Sequence, residues 1–156
     1  MAATQRNANE KELASFLAGL NDRQTAFLEV ASDEGFPLDY SLDSLSTLEA
    51  FIVHDDIPLS DNSDEAVSLR VDCWSYLGEV MRRNYGGAWR VSENEANTAN
   101  QGQFVIDGHG SLGTEYVPLR SLTAFLLRKK PGFFSSNIEN QVAPASLDLS
   151  NLPTED

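Results

Sequence analysis

A chain of 156 residues, 41% apolar and 22% charged, is long enough to bury a core without disulfides or structural metal, and its composition excludes wholesale disorder. Its 24 acids against 11 bases give a net charge of −13, unevenly spread: residues 1–65 hold 14 acids and 3 bases, residues 66–140 hold 7 and 8, and residues 141–156 hold 3 acids and no base. Such a field repels phosphate backbones, and no run approaches the roughly 20 apolar residues of a bilayer span, so neither nucleic acid nor membrane is expected as a partner.

Leu13, Phe16, Leu17, Leu20, Gln24, Phe27, Leu28 and Ala31 recur at helical spacing, which predicts a first helix over about residues 10–33, signalled by Asn9, stopped by Gly35 and kinked near Gly19–Asp22. Ser41 is placed to cap a second helix carrying Leu42, Leu45, Leu48 and Ile52 and ending before Pro58. The capping-rich, acidic segment Asp61-Asn62-Ser63-Asp64-Glu65 then opens a third helix. It runs to about Asn84, with Ala66, Leu69, Cys73, Trp74, Leu77, Val80 and Met81 inward and Gly86-Gly87 as its stop.

Past Gly87 the period changes. Ala88–Val91, Gln103–Ile106 and Glu115–Val117 are short runs of β-formers, which predicts a three-stranded antiparallel meander. Pro118 ends the third strand and opens a single C-terminal helix, with Leu119, Leu122, Phe125 and Leu126 as its stripe and Pro131-Gly132 as its close. The expected class is α+β: three N-terminal helices, the meander and one C-terminal helix in a single domain over residues 1–140, its core near 66–135. Residues 141–156 read as a mobile acidic tail.

One cysteine, Cys73, makes no intramolecular disulfide and lies on the inward stripe of the third helix, where it serves as a small core residue rather than a nucleophile. With no apolar stretch following Arg6 that resembles a signal peptide, the expected compartment is the cytoplasm. The basic clusters Arg82-Arg83 and Arg128-Lys129-Lys130 fall at predicted helix ends, where the dipole accounts for them.

Gly108-His109-Gly110-Ser111-Leu112-Gly113 fits G-x-G-x-x-G, but the helix a dinucleotide fold needs after it is replaced by a strand pattern ending in Pro118. The motif reads as a hairpin loop turned by Asp107-Gly108, and no cofactor is expected. Asp107 with His109, and His54 with Asp55 and Asp56, are local imidazole–carboxylate pairs of the kind that supply a general base or metal ligands; no zinc-site or EF-hand spacing accompanies them, and no metal is expected. Trp74, Tyr76, Tyr85 and Trp89 read as packing between helix and sheet.

The run Tyr76-Leu77-Gly78-Glu79-Val80-Met81-Arg82-Arg83-Asn84-Tyr85-Gly86-Gly87-Ala88-Trp89, with Tyr116-Val117-Pro118-Leu119 entering a helix that ends Arg128-Lys129-Lys130, resembles a loose group of uncharacterised bacterial domains of unknown function. The resemblance spans about residues 66–135. It implies a small bacterial α+β domain, of a sort found near secretion and toxin-immunity genes, and carries no activity.

Two functions follow as expectations. The first is a protein-interaction module, immunity-like or an adaptor, that engages a basic protein partner through Asp33, Glu34, Asp55, Asp56, Asp61 and Asp64. The alternative is a small hydrolase or ligand-binding enzyme with its site at Asp107 and His109 and with His109 as base.

Overall fold

In the computed structural model, which describes residues 3–93, 100–109 and 114–142, the chain is a mixed α+β structure. Its described elements are α1 (Ala3–Asp33), α2 (Ser44–Asp55), α3 (Asp64–Tyr85), β1 (Ala88–Val91), β2 (Phe104–Asp107), α4 (Pro118–Arg128) and α5 (Phe133–Val142). α3 packs against α1, α4 and β2, while α2 packs against α5, which also touches α4.

The third helix forms where its local signals agree. Ser63 Oγ accepts the Ala66 N–H, Asp64 and Glu65 occupy the first turn, Arg82 and Arg83 the last, and Gly86 leaves the helix at φ 89°. A side-chain cap of this kind stabilises a helix by about 1 kcal/mol. Its second half is buried on nearly every side, from Cys73 through Met81, because α1, the sheet and α4 surround it. Burial drives the Cys73 thiol pKa far above its ordinary value, so the sulfur stays protonated and inert, as expected.

Beyond Gly86 and Gly87, both at positive φ, the chain reverses and lays Trp89 back on α3. β1 and β2 pair antiparallel in the register Ala88↔Asp107, Trp89↔Ile106, Arg90↔Val105 and Val91↔Phe104. Phe16 of α1 completes an aromatic cluster there, 5.0 Å from both the Trp89 and the Phe104 ring and stacked on Trp74 at 5.4 Å. Trp89 is buried and the other three rings half-buried, and the apolar area they remove from water makes the cluster the joint between the first helix and the sheet.

Four expectations are corrected. The predicted third strand is a single bridge: Tyr116 exchanges both backbone hydrogen bonds with Ile106 at 2.9 Å, but Val117 is already the N-cap of α4 and Pro118 has no N–H to extend the ladder. The meander is therefore a two-stranded sheet with one added bridge. The C-terminal part holds two helices rather than one, since α5 follows α4 across Pro131-Gly132, with Gly132 at φ 85°. Gln141 and Val142, expected to start the tail, belong to its last turn, and the rest of 141–156 lies outside the described residues.

The fourth correction concerns α1, which starts at Ala3 rather than near residue 10 and runs unbroken through Gly19. Asn9 is internal and buried, its Oδ1 accepting from Gln5 Nε2 at 2.9 Å, a pairing one turn apart that supports the added length. Leu17, expected inward, is 42% exposed.

Candidate functional site

Six of the acids between residues 33 and 65, the ones expected to bind a partner, sit at or beside three helix ends. Asp33 closes α1 and Glu34 follows it; Asp55 closes α2 and Asp56 follows it; Asp61 lies in the connection to α3, and Asp64 opens that helix. All are exposed except Asp55, which is half-buried.

Two contacts draw these ends together. His54 Nδ1 lies 3.1 Å from Asp55 Oδ1 and 3.7 Å from Glu34 Oε1, so one imidazole of α2 stands between carboxylates of two elements. A hydrogen bond between the Glu34 and Asp55 carboxyls holds the Glu34 pKa above the usual carboxylate range, against the opposing pull of His54. Asp55, Asp56, Asp61 and Glu65 then line one cleft of about 310 Å³ whose apolar wall is Ile57, Pro58, Ala66 and Leu69. Asp61 is held ionised: its Oδ1 accepts the Ser63 N–H at 2.9 Å, which lowers its pKa. Two bases approach this face, Arg70 donating to the Pro58 carbonyl at 3.0 Å and Lys129 Nζ lying 3.4 Å from Asp56 Oδ1.

The structure thus joins Glu34, Asp55, Asp56 and Asp61, with Glu65 added, while Asp33 and Asp64 flank them along the chain. Glu34, His54 and Asp55 are also the described residues whose ligand atoms, all within 4.8 Å of one another, are suited to a metal ion.

Asp107 and His109 do not form a dyad. Asp107 Oδ2 faces Arg90 Nε at 3.7 Å across the ladder, whereas His109 is buried and, among the described residues, its ring nitrogens have no partner beyond the Ile106 backbone. Burial lowers the His109 pKa, so the ring is neutral near pH 7. Gly110–Gly113 of the glycine motif lie outside the described residues, and the chain between Thr114 and Val117 is not helical, which removes the anion-binding helix end that a dinucleotide would need there.

Two buried carboxylates escaped the sequence reading. Glu79 accepts Trp89 Nε1–H at 2.8 Å and both the Arg82 Nε and terminal N–H groups at 2.9 and 2.8 Å; Arg83 lies 3.4 Å away and covers the Tyr40 ring at 3.8 Å. Arg82 and Arg83 therefore have specific partners beyond the helix dipole. Glu49 of α2 accepts the backbone N–H of Gly132 at 2.8 Å and of Phe134 at 2.9 Å, anchoring the start of α5. The "Glu-Val" spacing after Gly78 was visible in sequence; no local signal marks Glu49.

No protein family, curated protein or solved structure matches this chain. Among the described residues no helix is long and apolar enough to cross a membrane.

Proposed function

We propose that the protein is an interaction module that engages a basic protein partner through the face formed by the ends of α1 and α2 and the start of α3. One observation supports this reading above the others: carboxylates from separate elements surround a single cleft with an apolar wall, where a lysine or arginine places its charge on Asp55, Asp56, Asp61 or Glu65 and its aliphatic stem on Ile57 and Leu69. The contact between Glu34 and Asp55 adds to it, since two carboxyls held together gain from an incoming cation.

The test is capture of basic proteins from the source cell at low salt, followed by affinity measurement from about 50 to about 300 mM NaCl, a range over which screening grows strongly. Affinity should fall steeply across that range and be lost when Asp33, Glu34, Asp55, Asp56, Asp61 and Asp64 are changed to Lys, with circular dichroism confirming the fold. A captured partner indifferent to both changes ends this reading.

A second reading, an enzyme using His109 as base, is favoured by the neutral, buried imidazole, which among the described residues has no side-chain partner. It requires that His109→Gln abolish a hydrolytic activity found by screening ester, amide and phosphate substrates. Undiminished turnover in that variant rejects it.

A further inference from the structure

An apolar cavity lies beside the acidic cleft, between α2 and the turn joining α4 to α5. It measures about 410 Å³, and Ala50, Val53, Phe125 and Pro131 form its hydrocarbon walls. That volume falls within the roughly 300–1,000 Å³ of small-molecule sites, and the lining has their composition: apolar surface with a few polar groups. Val53 is 50% exposed at its edge, an uncovered apolar side chain on an otherwise acidic helix end.

The ionisable groups in the lining decide the chemistry of the occupant. Glu49 is a wall of the cavity, but both its oxygens are engaged by the amides of Gly132 and Phe134, so the positive end of α5 offsets its charge. Lys129 and His54 are the remaining charged or titratable members; both are exposed, and His54 Nδ1 already meets Asp55 and Glu34, which leaves Lys129 as the main cation of the lining. Lys129 holds Asp56 only through an exposed pair at 3.4 Å, a contact weak enough for another anion to replace it. The cavity therefore joins apolar walls to nitrogen donors while its one carboxylate is already satisfied.

We propose that this cavity binds a small apolar carboxylic acid, its hydrocarbon part against Ala50, Val53, Phe125 and Pro131 and its carboxylate facing Lys129 and His54. The cavity borders the acidic face, because Lys129 and His54 also meet Asp56, Asp55 and Glu34, so an incoming carboxylate has to displace those contacts; the inference does not require that the acidic cleft bind a basic partner.

The test is calorimetric titration of the full chain with decanoate near neutral pH, with decanol and decylamine as neutral and cationic counterparts. Decanoate should bind saturably, one per chain, and more tightly than either counterpart. Ala50→Trp, at an exposed helix position where the fold is undisturbed, should fill the cavity and raise the Kd about tenfold or more; Lys129→Gln should raise it about fivefold, to near that of decanol. Circular dichroism of both variants checks that the helices are retained. Absence of saturable decanoate binding, equal or tighter binding of decylamine, or an unchanged Kd in Ala50→Trp overturns the proposal. So does binding that appears only when Leu147, Leu149 and Leu152 are replaced by Ser, which assigns the cavity to the C-terminal segment. A stoichiometry of one per two chains overturns it in favour of a second copy.

Discussion

Trp89 rests on Gly78: a Cβ added at Gly78 would overlap Cη2 and Cζ2 of the indole. The glycine in the middle of α3 is thus a seat for the first residue of the sheet that turns inward. Two opposing effects set what an alanine does there. Helix propensity favours Ala by about 1 kcal/mol, and overpacking against a rigid ring costs typically about 1–3 kcal/mol, more where nothing can yield. The indole is also held by its hydrogen bond to Glu79, so it cannot swing aside without breaking it.

Overpacking wins that comparison. Gly78→Ala is expected to destabilise the protein by about 1–3 kcal/mol net, read from the urea midpoint. Adding Trp89→Leu should recover part of the loss, and the coupling in a double-mutant cycle measures the overlap. A stabilised Gly78→Ala variant would show that Trp89 does not lie over the glycine.

Glu79 is 3% exposed and joins α3 to β1 through the Trp89 N–H. Burial raises its pKa, but the hydrogen bonds from Arg82 and Trp89 outweigh that and hold it below the ordinary glutamate value. Glu79→Ala leaves a buried indole N–H unpaired and is expected to cost about 2–3 kcal/mol, with Glu79→Gln costing less because one acceptor remains. Since the folded pKa is depressed, the stabilisation is present above the ordinary glutamate pKa and lost as the pH falls through the lowered one. Urea melts between neutral and strongly acidic pH should therefore show wild type and Glu79→Gln converging in acid.

The start of α5 depends on Glu49, whose carboxylate accepts the amides of Gly132 and Phe134, 83 and 85 positions further along the chain. Glu49→Ala removes both acceptors and the charge that complements the helix dipole, a loss of about 1–2 kcal/mol. The expected signature is local. Amide hydrogen exchange should quicken first at Gly132 and Phe134 and along α5, before the amides of α3 respond.

His109 is buried and, among the described residues, its ring nitrogens have no partner beyond the Ile106 backbone; an unsatisfied buried polar group costs about 1–3 kcal/mol. His109→Leu is accordingly expected to be neutral or stabilising at pH 8. The folded pKa is lowered, so the native state binds fewer protons than the unfolded chain; native stability is full above the unfolded value of 6.5 and falls as the pH drops through the lowered one. The advantage of His109→Leu should widen from pH 8 to pH 5 in parallel urea melts.

Elements whose signals lie within a few residues were legible in the sequence. The third helix was readable from end to end because its cap, acidic first turn, apolar stripe and glycine stop are local. Pro118 at the start of α4 and the positive φ at Gly86 follow from the same kind of rule. The seating of Trp89 on Gly78 was foreseeable too, since a glycine inside a strong helix calls for a close neighbour. The acidic residues were recognisable as a charged stretch, though not as lining one cleft: Asp56 and Asp61 share it with Glu65 because the connection between α2 and α3 brings Ile57 and Pro58 beside Ala66 and Leu69 of α3.

What the sequence alone determined is the α+β class, the course of the middle helix and the sign of the surface charge, because propensity, capping and composition act over one or two helical turns. The tertiary structure decided the rest. α5 begins with Phe-Phe-Ser-Ser-Asn and buries only Phe134 and Ile138, too weak a stripe to announce a helix; it exists where a distant glutamate binds its first amides and Phe125 meets Phe134 at 4.8 Å. The third strand shrank to one bridge because Tyr116 found Ile106 just before the chain turned into α4. In each case the deciding energy is a contact between residues far apart in the chain, and no local pattern encodes such a contact.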